Sequence, residues 1–120
     1  MPTTHSGFMI QSNRASGDFE LVVADPANSR IAHCRRNNED PELSWIGPQY
    51  FGSGTVRGLS LIQSNFGSPR LGNLELIANE SGRLVHYWCD DHPPYEWHGP
   101  FYFADAQARA TLPSSKAALE

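Results

Sequence analysis

Ile62-Gln63-Ser64-Asn65, Gly72-Asn73-Leu74-Glu75-Leu76-Ile77, His86 and Trp97-His98-Gly99-Pro100 follow one another through the second half of the chain. The first half has already spelled the same series as Ile10-Gln11-Ser12-Asn13, Gly17-Asp18-Phe19-Glu20-Leu21-Val22, His33 and Trp45-Ile46-Gly47-Pro48. Ile10 to Ile62 and Trp45 to Trp97 are each a step of 52 residues. A period of that size belongs to propeller blades or helical arrays, so the choice rests on what each unit contains.

Each unit reads as four short strands separated by turns. In the second these are Leu59 to Gln63, Leu74 to Ala78, Leu84 to Cys89 and Phe101 to Phe103. In the first they are Phe8 to Gln11, Phe19 to Ala24, Ile31 to Arg35 and Gln49 to Phe51. The intervening segments are rich in Gly, Pro, Asn, Asp and Ser, each a turn former for its own steric reason. The two units differ in length only between strands, where insertions are tolerated. Leu84-Val85-His86-Tyr87-Trp88 is apolar on both faces, as in a strand covered on both sides. Four strands in roughly 50 residues is the plan of a propeller blade. Proline cannot donate to a ladder, so Gly47-Pro48 and Gly99-Pro100 put the fourth strand outermost.

The expected architecture is therefore all-β, with residues 1–52 as one blade, 53–104 as a second and 105–120 as a tail. The tail repeats nothing earlier, and its closing Leu119-Glu120 has the look of a junction left before an expression tag. Two blades cannot close a ring, since propellers have about four to eight. A cyclic homo-oligomer with head-to-tail contacts is the expected solution. A dimer, trimer or tetramer would give four, six or eight blades.

Composition narrows the partners. The formal net charge is −4, with the two signs interspersed, which gives no basic face for nucleic acid. No stretch approaches the roughly 18 apolar residues of a membrane span, and no secretory leader is visible. The expectation is a soluble chain, cytoplasmic as synthesised, with release from the cell left open. Cys34 and Cys89 fall out of register with the repeat, so two free thiols are expected rather than a disulfide.

The blocks Leu61-Ile62-Gln63-Ser64-Asn65-Phe66-Gly67, Gly72 to Ile77, Leu84 to Trp88 and Trp97 to Pro100 resemble the blade repeat of β-propeller lectins of the Photorhabdus lectin family. The resemblance covers nearly the whole span from Gly7 to Phe103. It implies binding of fucose-type or O-methylated sugars in clefts between blades, without cofactor or metal. It also implies more blades than one chain of this length holds, and the precedent of small two-blade fucose-binding lectins, which the chain resembles in architecture but not in motif, favours a six-bladed trimer, with an eight-bladed tetramer as the alternative.

Sugar recognition calls for an aromatic face against the C–H side of the ring and planar polar groups for its hydroxyls. His86, Tyr87, Trp88, Asp90, Tyr95 and Trp97 supply both within a dozen positions, and Arg83 and Asn65 join them as candidates. His86 and Trp88 point to one face, Tyr87 and Cys89 to the other. The first unit has Cys34 and Arg35 where the second has Tyr87 and Trp88, so its cleft is the poorer candidate.

Structural roles compete for several of these residues. Trp45 and Trp97 recur beside Gly-Pro and suit core packing. Glu20 and Glu75, set among apolar neighbours, need partners, with Arg30, Arg83 or backbone amides in view. His33 and His86 can bridge strands, and Gln-Ser-Asn can bond turn backbone or line a cleft near the axis. No nucleophile elbow, phosphate loop or metal helix is present, so an enzyme is not expected. A propeller that binds protein rather than sugar is the rival reading.

Overall fold

The computed structural model describes residues 6–15, 17–66 and 72–105. Among them every regular element is a strand: β1 (Gly7–Gln11), β2 (Phe19–Asp25), β3 (Arg30–Arg36), β4 (Trp45–Phe51), β5 (Val56–Gln63), β6 (Leu74–Glu80), β7 (Arg83–Cys89) and β8 (Trp97–Asp105). They form two antiparallel four-stranded sheets in sequence order, β1-β2-β3-β4 and β5-β6-β7-β8. The fourth strand of each lies at the edge, as the Gly-Pro pairs require. Residues 106–120 of the expected tail lie outside the described residues. No helix among the described residues is long and apolar enough to cross a membrane.

The local chemistry explains the hairpins. Ser81 and Gly82 join β6 to β7 with both φ values positive, 53° and 85°, the backbone of a two-residue hairpin turn that twists with its strands. The corresponding turn in the first sheet is two residues longer and is held by Asp25, whose carboxylate accepts from the Ala27 amide and the Asn28 side chain. This is one of the loops in which the two units differ in length; the other joins their first two strands, from Asn13 to Gly17 and from Asn65 to Gly72.

The fourth strands start earlier than the sequence suggests, at Trp45 and Trp97 rather than Gln49 and Phe101. Gly-Pro sits inside the strand, at a bulge where the register skips between His33 and Arg35 and again between His86 and Trp88. A proline without an N–H is tolerated where the ladder is already interrupted. Glycine is needed beside it: Gly99 has φ of 133°, and a Cβ there would lie 2.6 Å from Tyr87 Cδ1.

The core lies between the sheets. Val22, Ile31 and Phe51 of the first meet Leu61, Leu74, Leu76, Ala78, Val85, Tyr87 and Cys89 of the second. Each large side chain buried there contributes about 1.5–3 kcal/mol. Tyr87, a sugar-site candidate by sequence, lies in this core, 1 % exposed, with its hydroxyl donating to Glu80 Oε2 at 2.6 Å. Glu80 also accepts from the Tyr102 hydroxyl at 2.9 Å and the Ser53 amide at 3.2 Å, so its buried carboxylate is satisfied.

The repeat allows one position to be compared in two settings. Val22 is fully buried and its counterpart Ile77 is 37 % exposed; Phe51 is 7 % exposed and its counterpart Phe103 39 %. The face of the first sheet that the second covers is thus bare on the second sheet. On the opposite faces the order reverses: Trp97 packs against the core, whereas Trp45 is 47 % exposed. Sequence alone pairs the two tryptophans as packing residues, but only Trp97 has a neighbouring sheet to pack on.

Burial, then the hydrogen bond and charge of Glu80, raise the Tyr87 phenol above its ordinary value of 10.0. Unfolded Tyr87 therefore loses its proton first, the unfolded state binds fewer protons, and stability falls as pH rises. The melting temperature is expected to drop once pH passes about 10. Tyr87→Phe should remove part of that fall. An identical alkaline profile in wild type and variant, by circular dichroism, would contradict the assignment.

Candidate functional site

The two sheets are tied by one relay. The Trp97 indole N–H donates to His33 Nδ1 at 3.1 Å, and His33 Nε2 meets Glu20 Oε1 at 2.7 Å. An indole can only donate, so Nδ1 accepts and the ring proton sits on Nε2, aimed at the carboxylate. Ser12 Oγ lies 3.0 Å from Glu20 Oε2, and Glu20 is fully buried. The Trp97 ring stacks on Phe51 at 4.1 Å with 7° between planes. Half of this arrangement recurs in the second sheet: His86 Nε2 lies 2.7 Å from Glu75 Oε1, and Ser64 Oγ 3.1 Å from Glu75 Oε2. There Nδ1 has no hydrogen bond among the described residues.

These pairings replace the arginines that the sequence suggests for the two glutamates. Strand register explains why. Arg30 lies opposite Asp25 and Arg83 opposite Glu80, five residues along the strand from Glu20 and Glu75, or roughly 17 Å. Arg83 instead covers the Tyr102 ring, 3.8 Å from its centroid. Both histidines bridge β2 to β3 or β6 to β7. The Gln-Ser-Asn blocks bond turn backbone and also join the sheets, through Gln63 Oε1 accepting from the Asn13 amide at 2.8 Å and Gln63 Nε2 donating to Asn13 Oδ1 at 2.9 Å.

Two clefts flank the relay positions. The first, of about 190 Å³, lies between the sheets and is lined by Arg14, His33, Arg35, Gln49, Pro94 and Tyr95. Arg14 is 4 % exposed, with its guanidinium 4.6 Å from the Tyr95 ring and Nη2 donating to the Asp90 carbonyl at 2.7 Å. Arg35 approaches the same ring at 5.9 Å and pairs with Asp18 at 3.3 Å.

The second cleft, of about 300 Å³, opens on the bare face of the second sheet and is lined by Phe66, Asn73, Glu75, His86 and Trp88. Trp88 is stacked on Phe101 at 4.8 Å with 13° between planes, which fixes the indole's tilt. The open surface is thus almost wholly apolar, with an imidazole, an amide and a carboxylate beside the indole on the same face of the sheet.

The predicted residues are divided between these places. His86 and Trp88 line the open cleft, and Asn65 is exposed beside Phe66. Tyr95 belongs to the other cleft. Asp90 Oδ2 is engaged by His98 Nε2 at 2.9 Å. Trp97 serves the relay, Tyr87 the core, and Arg83 sits at the far end of its strand. Sequence reasoning missed Phe66, Asn73 and Glu75 in one cleft and Arg14 and Gln49 in the other. Aligning the units places Arg14 on Phe66 and Asp18 on Asn73, a signal available without coordinates.

Asp90, Glu96 and His98 bring one donor each within 4.8 Å. The Asp90–His98 hydrogen bond accounts for two of the three. Cys34 and Cys89 are both free. Burial, the largest influence, pushes the Cys89 thiol up to about 11, so it remains protonated, its Sγ 3.3 Å from the Tyr95 carbonyl.

Compared with protein-family models, curated proteins and solved structures, the chain matches none.

Truncating Trp97 to Ala removes both stack and donor and should cost about 3–5 kcal/mol. Trp97→Phe keeps a ring on Phe51 but leaves His33 Nδ1 unmet, at about 1–3 kcal/mol. Urea denaturation distinguishes the two, and a phenylalanine variant as stable as wild type would remove the relay from the account.

Proposed function

We propose that this chain is a carbohydrate-binding lectin whose two sheets are propeller blades, closed into a six-bladed ring by three copies. The observation that carries the sugar reading is the open cleft: an indole held at fixed tilt, beside Phe66, with Asn73, Glu75 and His86 next to it. Aromatic surface suits the C–H face of a sugar, and convergent polar groups suit its hydroxyls. A methyl group, as on fucose or an O-methylated sugar, adds apolar area that this wall can cover.

Assembly is supported by the paired positions of the repeat. Ile77, Phe103 and His86 sit bare where Val22, Phe51 and His33 are covered by the second sheet. The uncovered Trp45 occupies the position of Trp97. In a head-to-tail contact, Trp45 of the next copy would stack on Phe103 and donate to His86 Nδ1, repeating the contact inside the chain. Leu43 of that copy, the counterpart of Tyr95, would close the aromatic cleft beside Phe66 and Trp88. A head-to-tail contact either closes or runs on as a filament, and blades close at about four to eight. One monosaccharide binds weakly, and a rigid ring of sites gains perhaps 10²-fold or more on a dense glycan surface.

Native mass spectrometry should give three times 13.3 kDa. A monomer at micromolar concentration would sink the ring, and a tetramer would make it eight-bladed. On a glycan array the protein should retain fucosylated or methylated glycans, competed by the free sugar. Trp88→Ala should abolish retention while leaving the native mass unchanged. Binding of no glycan by an intact ring would favour a protein-binding module.

A further inference from the structure

The Ser–Glu–His arrangement does not need Arg14 or Arg35. Their counterparts in the second unit are Phe66 and Trp88, and there the Ser–Glu–His arrangement survives intact, with Glu75 Oε1 still 2.7 Å from His86 Nε2. Asp18, which pairs with Arg35, changes with it, to Asn73. The charged set in the first unit is therefore separable from that arrangement, and it lies around the cleft.

Within that set Arg14 is out of balance. It is 4 % exposed, and among the described residues no carboxylate forms an ion pair with it. Its Nε and Nη1 are buried and have no hydrogen-bond partner. A buried guanidinium with unused donors loses hydration and gains too little in return. Stacking on Tyr95 at 4.6 Å orients it but satisfies no N–H. Arg14 lines the same cleft as Arg35 and Gln49, so the cleft is bordered by two arginines, one of them without a counter-ion.

We infer that the cleft between the two sheets of one chain binds a monosaccharide bearing a carboxylate. The sugar half of this inference rests on the lectin reading above, and the carboxylate half on the arginines. A carboxylate supplies the charge that Arg14 lacks and forms charge-assisted bonds, the stronger kind. Gln49, with both donor and acceptor capacity, serves the hydroxyls. At about 190 Å³ the cleft is smaller than the roughly 300–1,000 Å³ of drug-sized sites, which fits one ring. The two clefts of the chain thus differ in kind: one aromatic and suited to neutral, methyl-bearing sugar, the other cationic and suited to acidic sugar.

Titration of the intact protein with glucuronate, glucose and acetate, followed by NMR of the arginine Nε–H and tryptophan indole N–H signals, tests this. Glucuronate is expected to move the Arg14 and Arg35 signals and to bind at least about tenfold more tightly than either glucose or acetate. Added salt should weaken it. Arg14→Gln should reduce glucuronate affinity at least about tenfold. Should that variant fail to fold, Arg35→Gln, at a more exposed position, decides with a loss in the same direction. Glucose binding as well as glucuronate overturns the inference, as does acetate matching glucuronate, or no response of either arginine. Fucose titrated into the same sample, read at the Trp88 indole, keeps the lectin reading separate: a Trp88 response with silent arginines defeats the acidic cleft alone.

Discussion

One donor with a single place to go ties the polar core of the first sheet to the second. The Trp97 indole N–H reaches across from β8 to His33 Nδ1 at 3.1 Å, and the donor-only chemistry of indole fixes the rest of the chain of bonds. His33 must then carry its proton on Nε2, Glu20 must accept it, and the fully buried carboxylate gains the partner it needs. The stack of Trp97 on Phe51 at 4.1 Å adds apolar area to this polar link. Sliding one sheet along the other by a residue would break stack and relay together, because successive side chains face opposite ways. The clefts on either side of that link inherit their shape from it.

Scaffold and lining separate cleanly when the two units are compared. Ser12, Glu20, His33 and Phe51 have the counterparts Ser64, Glu75, His86 and Phe103, so the scaffold set is kept in chemistry. Arg14, Arg35, Gln49 and Asp18 have the counterparts Phe66, Trp88, Phe101 and Asn73, so the lining set is changed in chemistry. The changes go together: three positions become aromatic at once, and the single carboxylate among them becomes neutral. Tyr95, which Arg14 and Arg35 both approach, has Leu43 as its counterpart, an apolar residue for an apolar wall. Packing needs explain the constancy of the first set, since loss of Glu20 or His33 would orphan a buried partner. They do not explain the second.

Much of the fold was legible because β-structure repeated in register announces itself twice. Turn chemistry at Ser81-Gly82 and the strand order needed only local rules. The start of the fourth strands was not legible, because a Gly-Pro inside a strand requires a bulge that depends on Tyr87 and His86 across the ladder. Tyr87 shows the limit for sites: its period-two face could be read, but a buried Glu80 seven residues up the hairpin to accept its hydroxyl could not. Nor could the partners of Glu20 be read, since His33 lies thirteen residues away and only the β2–β3 register brings it close. Arg14 was hidden differently, as a turn residue whose burial comes wholly from the neighbouring sheet.

The polarity of the bare face also bears on the assembly proposed above. The uncovered face of the second sheet presents His86 Nδ1, which accepts because Nε2 is committed to Glu75. Two such faces brought together about a two-fold axis would oppose acceptor to acceptor, with Glu75 near Glu75 and no indole between them. The other uncovered face, on the first sheet, presents Trp45, a donor with no hydrogen bond of its own among the described residues and 47 % exposed. Donor meets acceptor only when unlike faces meet, so like-to-like pairing is disfavoured by the same hydrogen-bond arithmetic that fixes the register within one chain. The proposed assembly is accordingly head-to-tail, and the angle between successive sheets would decide whether it closes as a ring or runs on as a filament.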